Sequence, residues 1–334
     1  MHVDAAFLTL AMLVGLALAF DFMNGFHDAA NSIATVVSTR VLKPYQAVIW
    51  AALFNFVAIW LFETRVAATV GKGIIAPEFV DNAVIFGALM GAIVWNIVTW
   101  FFGIPSSSSH ALIGGMIGAA MAKAGLAPLL APGIIRTTTF ILVAPLLGLA
   151  TGGVIMLGIS WACFRIAPMK LDRWFRRSQL LASALYSIGH GSNDAQKTMG
   201  IIWLLLMSRG LATPDHLPSW VIVSCYMAIS VGTVFGGWRI IKTMGQKLTK
   251  LTPASGSAAS LGGAITLFIA SNFGIPVSTT HTITGAILGA GAVQNPARVR
   301  WGLATSLVYA WLLTIPAAAL VAAVSYWIGR RFID

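Results

Sequence analysis

The chain has 334 residues, of which 58% are hydrophobic and only 9% are charged, and its formal net charge is +11. This composition lies far outside the averages of soluble domains and indicates an integral membrane protein. The 21 Lys and Arg do not indicate nucleic-acid binding, because they lie in short connectors where membrane topology and anionic lipid headgroups account for them. We therefore expect membrane lipids, and no nucleic acid, as partners.

Apolar runs long enough to cross a bilayer, about 20 residues each, follow one another along the chain. The first run has no basic residue before it and leads directly into a polar motif, so we expect a membrane helix rather than a cleaved signal peptide. The runs cover residues 5–24, 45–62, 83–104, 110–131, 137–163, 180–207, 219–238, 257–273, 277–293 and 301–328. They predict an all-α polytopic membrane protein with roughly ten to twelve transmembrane segments, some of half length.

Two polar motifs occur twice, in the same order. "GFHDAANSI" (residues 25–33) aligns with "GSNDAQKTM" (191–199), and "IPSSSSH" (104–110) aligns with "IPVSTTH" (275–281). Repetition of two motifs in order and at similar spacing indicates an internal duplication.

The two copies are predicted to have opposite orientations in the membrane. Residues 1–164 form the first repeat, 165–179 a basic linker that should be cytoplasmic, and 180–334 the second repeat. The connector 63–81 is mostly acidic, whereas the corresponding connector 239–250 is basic. Inverted-topology repeats with broken or re-entrant helices are typical of secondary transporters, which bind their substrates at the repeat interface near the midplane.

Three of the ten acidic residues lie inside apolar segments: Asp21, Asp28 and Asp194. Ionisable groups at this depth cost at least a few kcal/mol and are therefore functional candidates. Asp28 and Asp194 occupy the same place in the two copies, which favours a functional role. At the place of Asp21 the second copy has Ser187, so for Asp21 a merely paired or snorkelling acid is an equal alternative.

The Pro-Ser motifs predict helix starts, because Pro is tolerated in the first turn and hydroxyl side chains cap free backbone amides. Helix N-termini also bind anions. Two such starts that meet at the midplane would form a bowl of donors for a small oxyanion. Its candidate residues are Ser107, Ser108, Ser109, Ser278, Thr279 and Thr280. Ordinary helix packing by small residues is the alternative, and the repetition in register disfavours it.

An oxyanion beside two buried carboxylates requires cations, because the negative charges repel one another in a low dielectric. Asn31 and Asn193, which flank the two acids, would suit Na⁺, whereas His27 beside Asp28 would suit a proton. The residues alone leave both coupling ions open.

Three more polar residues are candidates with unresolved roles. Lys197 follows Asp194 by three residues and shares its helical face, so it would pair with Asp194, contact the anion or snorkel. His110 and His281 follow the two hydroxyl clusters, and a structural hydrogen bond to a backbone carbonyl is an equal alternative for both.

At these motifs the chain resembles the inorganic phosphate transporter family of the PiT type, and the resemblance covers essentially the whole chain. Each half of such transporters carries a Gly-x-Asn-Asp-type signature followed by a Pro-x-Ser-type turn. The resemblance implies a symporter that moves inorganic phosphate with Na⁺ or H⁺. It also implies that Asp28 and Asp194, helped by Asn31 and Asn193, are the cation-linked acids and that the six hydroxyl residues hold phosphate.

The signatures depart from the commoner family form at His27, Gln196 and Lys197. These departures resemble the bacterial branch of low-affinity, proton-coupled permeases, which accepts phosphate as a neutral complex with Mg²⁺ or another divalent metal. We therefore expect a bacterial inner-membrane symporter that imports inorganic phosphate with protons. It should hold no resident cofactor, and a homodimer is among the assemblies that the sequence leaves open.

Three alternatives remain. A Na⁺-coupled phosphate symporter would bind Na⁺ at Asp28 and Asp194. Sulfate or another tetrahedral oxyanion would fit the same donors, although the two acceptor carboxylates favour phosphate, which can itself donate hydrogen bonds. An intramembrane serine hydrolase using His110 belongs to a different class, and no Gly-x-Ser-x-Gly nucleophile elbow occurs in the chain. We therefore expect no enzyme and no catalytic residue.

Overall fold

The computed structural model describes residues 5–333, and every regular element in that range is a helix, which confirms the predicted all-α class. The α-helices are α1 (Ala5–Ser38), α2 (Pro44–Val57), α3 (Arg65–Gly73), α4 (Asn82–Phe102), α5 (Ser108–Ala124), α6 (Ala131–Ala162), α7 (Pro168–Ser208), α8 (Ser219–Phe235), α9 (Trp238–Lys242), α10 (Pro253–Asn272), α11 (Thr279–Gln294) and α12 (Trp301–Gly329). Short 3₁₀ turns at Ala58–Trp60, Pro77–Phe79 and Pro296–Arg298 and a π turn at Thr243–Lys247 extend or connect them.

Five of the described helices, α1, α4, α6, α10 and α12, have the length and composition to cross a bilayer. Two bent pairs would raise the number to seven: Pro44–Trp60 with Arg65–Gly73, bent by 82°, and Ser219–Phe235 with Trp238–Lys247, bent by 63°. The ten to twelve segments expected include half-length ones, and α5 and α11, with 17 and 16 residues, are of that kind. Helix α7 carries a polar motif at its centre.

The order of elements in α1–α6 recurs in α7–α12. Each set begins with a long helix, continues with a bent pair and a helical hairpin, and ends with another long helix. The basic segment 165–179 is mostly helical, because α7 begins at Pro168 and includes these residues as its first turns. Thr39 donates to Gln179 Oε1 (3.0 Å), which attaches this part of α7 to the end of α1.

Glycines allow the helices to approach closely at several crossings. At the crossing of α1 and α8, a Cβ on Gly25 would lie 2.1 Å from the carbonyl oxygen of Ile229, and one on Gly232 would lie 2.0 Å from that of Phe22. Where α5 crosses α12, a Cβ on Gly118 would likewise lie 2.1 Å from the carbonyl oxygen of Ala319. Such small-residue contacts are typical of helices packed inside membranes.

Replacing Gly25 with Ala should destabilise the protein by about 1–3 kcal/mol, because the new methyl group would overpack the crossing of α1 with α8. Gly15 lies on the same helix, and a Cβ there meets nothing within 4 Å. Gly15→Ala is therefore the matched control, and its unfolding midpoint in detergent should stay at or above that of the wild type. Equal midpoints for the two variants would contradict the close crossing.

Candidate functional site

The two Gly-Ile-Pro segments form the same turn between paired helices. After α4 ends, Gly103 adopts φ = 65°, and after α10 ends, Gly274 adopts φ = 62°. This left-handed conformation is strained for residues with a side chain, which accounts for glycine at both places. The chain then extends to Ser107 and Ser278, which cap the next helices.

The two caps have the same geometry. The Ser107 hydroxyl oxygen accepts a hydrogen bond from the backbone amide of His110, and the Ser278 oxygen accepts one from His281, each at 3.2 Å. The predicted helix starts are therefore confirmed as starts of α5 and α11, but Pro105 and Pro276 lie two residues before the caps rather than in the first helical turn. Because a hydroxyl that accepts one bond can still donate another, both side chains retain a donor for a ligand.

The starts of α5 and α11 meet in the centre of the molecule. The Ser109 hydroxyl donates to the carbonyl oxygen of Val277 (3.4 Å). Lys197 of α7 reaches the same place, with its Nζ 2.5 Å from Ser109 Oγ and 2.6 Å from the Val277 carbonyl oxygen. One lysine thus connects the two hairpins, and it is fully buried.

Asp28 of α1 accepts hydrogen bonds from both helix starts. Ser108 Oγ lies 2.7 Å from its Oδ2, and Thr280 Oγ1 donates to its Oδ1 at 3.4 Å. The adjacent His27 places Nδ1 2.6 Å from Oδ1. Asp28 is only 2% exposed, so these contacts replace water around the carboxylate.

Asp194 of α7 has a corresponding set of partners. Lys197 Nζ lies 2.5 Å from its Oδ1, and Thr279 Oγ1 donates to its Oδ2 at 3.0 Å. His190 Nε2 lies 3.3 Å from the same Oδ2. The group is fully buried. The structure therefore brings both predicted acids to the meeting point of the two helix starts.

Asn31 and Lys197 occupy corresponding places, three residues after Asp28 and Asp194. Asn31 Nδ2 donates to Thr280 Oγ1 of α11 (2.9 Å), while Lys197 Nζ contacts Ser109 Oγ of α5. Each side chain thus bonds a hydroxyl of the hairpin from the other set of helices. The difference is that the second set supplies a cation where the first supplies an amide.

His27 and Asn193 both attach the acid-bearing helices to neighbouring turns. His27 Nε2 lies 3.2 Å from Thr99 Oγ1 near the end of α4. Asn193 Nδ2 donates to Ser271 Oγ (3.2 Å) and to the carbonyl oxygen of Ile275 (3.1 Å) after α10. Both residues therefore position the turns that precede the two helix starts.

His110 and His281 contact each other behind the acid pair. Their ring centroids are 4.7 Å apart, and Trp311 of α12 stacks on His281 at 3.8 Å. The Trp311 Nε1 donates to the carbonyl oxygen of Pro105 (3.0 Å). In this structure the two rings and Trp311 thus pack together at the hairpin junction, and no ring nitrogen of the two histidines has a well-aligned hydrogen-bond partner among the described residues.

Two further site residues, Asn24 and Tyr186, were not among the sequence candidates. Asn24 precedes Asp28 by four residues, as the candidate His190 precedes Asp194, and this one-turn spacing is a signal that could have found Asn24. Tyr186 donates from its hydroxyl to the carbonyl oxygen of Thr279 (2.8 Å). No local pattern reveals Tyr186, because this contact joins α7 to α11.

The cluster can also offer ligands to a metal ion. Asp28, His190 and Asp194 each present one ligand atom, and these atoms lie within 4.8 Å of one another. Two carboxylates and an imidazole fit a divalent transition metal better than Mg²⁺, which prefers oxygen ligands. The Lys197 ammonium beside Asp194 opposes a further cation, so a metal requires this side chain to withdraw.

The chain is similar to known proteins along almost its whole length. The phosphate transporter family matches residues 24–322. The probable low-affinity inorganic phosphate transporter of Rhizobium meliloti (strain 1021) is 56% identical over 328 residues, which cover 98% of each chain. The protein of the same description from Bacillus subtilis (strain 168) is 44% identical, and the alignment covers 97% of this chain and 98% of that one.

The fold is shared with a solved structure described as the sodium-dependent phosphate transporter. The TM-score is 0.88 at 25% sequence identity, and the match covers 97% of this chain and 99% of the other. The matched proteins are transporters and not enzymes, which decides against the hydrolase alternative. These matches confirm the resemblance that the repeated motifs indicated, and they show that this multi-pass membrane protein belongs to the phosphate transporter family.

Proposed function

We propose that this protein imports inorganic phosphate together with protons across the inner membrane of a bacterium. One observation carries the proposal: the two buried acids occupy the donors that a bound phosphate would need. Ser108 bonds Asp28, and Thr279 and Lys197 bond Asp194. Hydroxyl and ammonium groups can donate to the oxygens of a tetrahedral oxyanion as well as they do to these carboxylates.

This sharing of donors couples phosphate to cations. A phosphate that takes Ser108, Thr279 and Lys197 leaves the carboxylates of Asp28 and Asp194 beside its own negative charge. In a buried site such repulsion is strong, because the effective dielectric is low. A cation that binds among the buried acids reduces this repulsion, so phosphate and the cation are taken up together. Ser107, Ser109, Ser278 and Thr280 complete the proposed phosphate site.

Two side chains favour the proton as that cation. Lys197 already places a positive charge against Asp194 at 2.5 Å, where a Na⁺ ion would have to compete with it. His27 places Nδ1 against Asp28 at 2.6 Å, where a Na⁺ ion would likewise have to compete with it. The name of the structural relative, a sodium-dependent transporter, makes Na⁺ coupling the alternative to be tested.

The recurrence of six elements supports transport by two inverted halves. With the basic segment 165–179 on the cytoplasmic side, α7 would begin inside and α1 outside. The two hairpins would then approach the acid pair from opposite sides of the membrane. Rocking of one half against the other around this site would open it alternately to each side.

The wild type should accumulate phosphate in response to protons. Radiolabelled phosphate uptake would be measured in proteoliposomes of phosphatidylethanolamine and phosphatidylglycerol, with an inward pH gradient and an inward Na⁺ gradient imposed separately. We expect accumulation with the pH gradient alone and little inhibition by excess sulfate. Accumulation with Na⁺ alone would reassign the coupling ion, and equal inhibition by sulfate would reassign the substrate.

A metal–phosphate complex is a second candidate substrate, because Asp28, His190 and Asp194 form the potential ligand cluster. The metal would then be cargo, held by these three side chains while the hydroxyls hold phosphate. The same uptake assay decides this point when it is run with divalent cations or with a chelator. Phosphate uptake that persists undiminished in the chelator would exclude the complex as the substrate.

A further inference from the structure

Asp21 is a buried acid that the phosphate site does not use. It lies on α1, is fully buried, and neither of its carboxylate oxygens has a hydrogen-bond partner among the described residues. The other two intramembrane acids differ, since Asp28 and Asp194 are each bonded by hydroxyl donors and a basic side chain.

Among the described residues, no cation bonds the Asp21 carboxylate. The Asp21 carboxyl group interacts electrostatically with Asp194 and Lys197 of α7. The Lys197 ammonium, however, is bonded to Asp194, Ser109 and the Val277 carbonyl oxygen. Thr198 lies beside Asp21, yet its hydroxyl forms no well-aligned bond with the carboxyl group.

The neighbouring helix α8 contributes only weak or neutral partners. Cys225 and Tyr226 are its titratable residues that interact electrostatically with Asp21. An ionised carboxylate that is buried without a donor or a cation is strongly unfavourable, whereas a neutral carboxylic acid tolerates such a place. Asp21 is therefore suited to hold a proton in this conformation.

We infer that Asp21 is the site that binds the co-transported proton. The inference rests on the proposed proton-coupled import and deepens it, because it separates the proton site from the phosphate site. Uptake adds one proton from the outer water to the Asp21 carboxylate and forms its O–H bond. After the protein opens inward, that bond breaks and the proton passes to cytoplasmic water. The corresponding place in α7 holds Ser187, so one such acid serves each cycle.

The helix places Asp21 where it can influence phosphate binding. Asp28 follows it by seven residues, which puts both on one face of α1 about 10 Å apart along the axis. Asn24 lies between them, and its Oδ1 is 2.6 Å from Ser108 Oγ, which also contacts Asp28. Asn24, which contacts a phosphate donor, thus lies within one helical turn of the proton site. In the proposed topology Asp21 lies on the outer side of Asp28, from which the proton arrives.

The test separates net transport from exchange. Asp21→Asn keeps the size of the side chain but cannot take up and release the proton. In proteoliposomes its accumulation of phosphate under an inward pH gradient should fall at least tenfold. Exchange of internal for external labelled phosphate, without any gradient, should remain within about twofold of the wild type, since exchange needs no return of the unprotonated protein.

Two results with Asp21→Asn would overturn the inference. Accumulation by Asp21→Asn at the wild-type level would overturn the inference, and so would loss of exchange in a variant that keeps the wild-type unfolding midpoint. If this variant does not fold, Asp21→Ser replaces it, because Ser187 occupies the corresponding place in α7. Absence of proton-driven uptake by the wild type would overturn the proposed function itself and with it the proton assigned to Asp21.

Discussion

Replacing Lys197 with Met is expected to destabilise the protein by about 3–5 kcal/mol, because a buried ion pair that loses one partner leaves the other charge uncompensated. The side chains of Lys197 and Asp194 are essentially inaccessible to solvent, so water cannot replace the ammonium. The same substitution removes the hydrogen bonds of Lys197 Nζ to Ser109 Oγ and to the Val277 carbonyl oxygen. The unfolding midpoint in detergent should therefore fall clearly below that of the wild type.

A double variant separates the cost of the unpaired charge from the loss of function. Combining Asp194→Asn with Lys197→Met removes both charges, so much of the lost stability should return while proton-driven uptake stays absent. Arg176→Met is the matched control, since it breaks an ion pair with Asp172 whose side chains are 43% and 49% exposed. Such exposed pairs contribute only about 0–1 kcal/mol. Equal midpoints for Lys197→Met and Arg176→Met would show that the buried pair does not stabilise the fold.

The central turns could be predicted from the sequence because their chemistry is local. A glycine, a proline and a capping hydroxyl follow one another within six residues, and each has a backbone requirement that no distant contact overrides. Ser107 and Ser278 accordingly cap α5 and α11 as expected. The motif occurs twice, and two occurrences of the same local pattern made the prediction of this turn stronger.

The helices in the polar connectors were harder to predict from the sequence. Helices α3 and α9 lie in connectors that were interpreted only by their charge, and α9 has five residues, too few to show an apolar period. The first turns of α7 were interpreted as a linker because of their basic residues. These residues are helical because Pro168 begins the helix and Arg176 pairs with Asp172 one turn earlier.

The partners of the site residues could not be predicted, because they depend on how distant helices cross. Asn31 and Thr280 are 249 positions apart in sequence, and the pairing of His110 with His281 arises only when the two hairpins meet. The sequence leaves three roles open for Lys197. In the structure Lys197 is buried and contacts Asp194, Ser109 and Val277 at the hairpin junction, so it does not snorkel.

Replacing Asp28 with Asn should abolish phosphate transport with little loss of stability, in contrast to Lys197→Met. The introduced amide has nearly the same size, and its oxygen can still accept from Ser108 and Thr280. It carries no charge, however, so it is a weaker acceptor for the hydrogen bonds that phosphate itself donates. Losing one or two such charge-assisted hydrogen bonds, at about 1.5–3 kcal/mol each, corresponds to a roughly ten- to ten-thousandfold lower transport rate.

The measurement is labelled phosphate uptake and exchange in proteoliposomes, with the unfolding midpoint of the same preparation. Asp28→Asn should lose both accumulation and exchange, because Asp28 contacts the phosphate donors directly, whereas Asp21→Asn should lose accumulation only. Asp172→Asn changes an exposed acid outside the site and should behave as the wild type. If exchange persists in Asp28→Asn, then Asp28 acts in proton coupling alone, and the phosphate donors must be sought around Asp194.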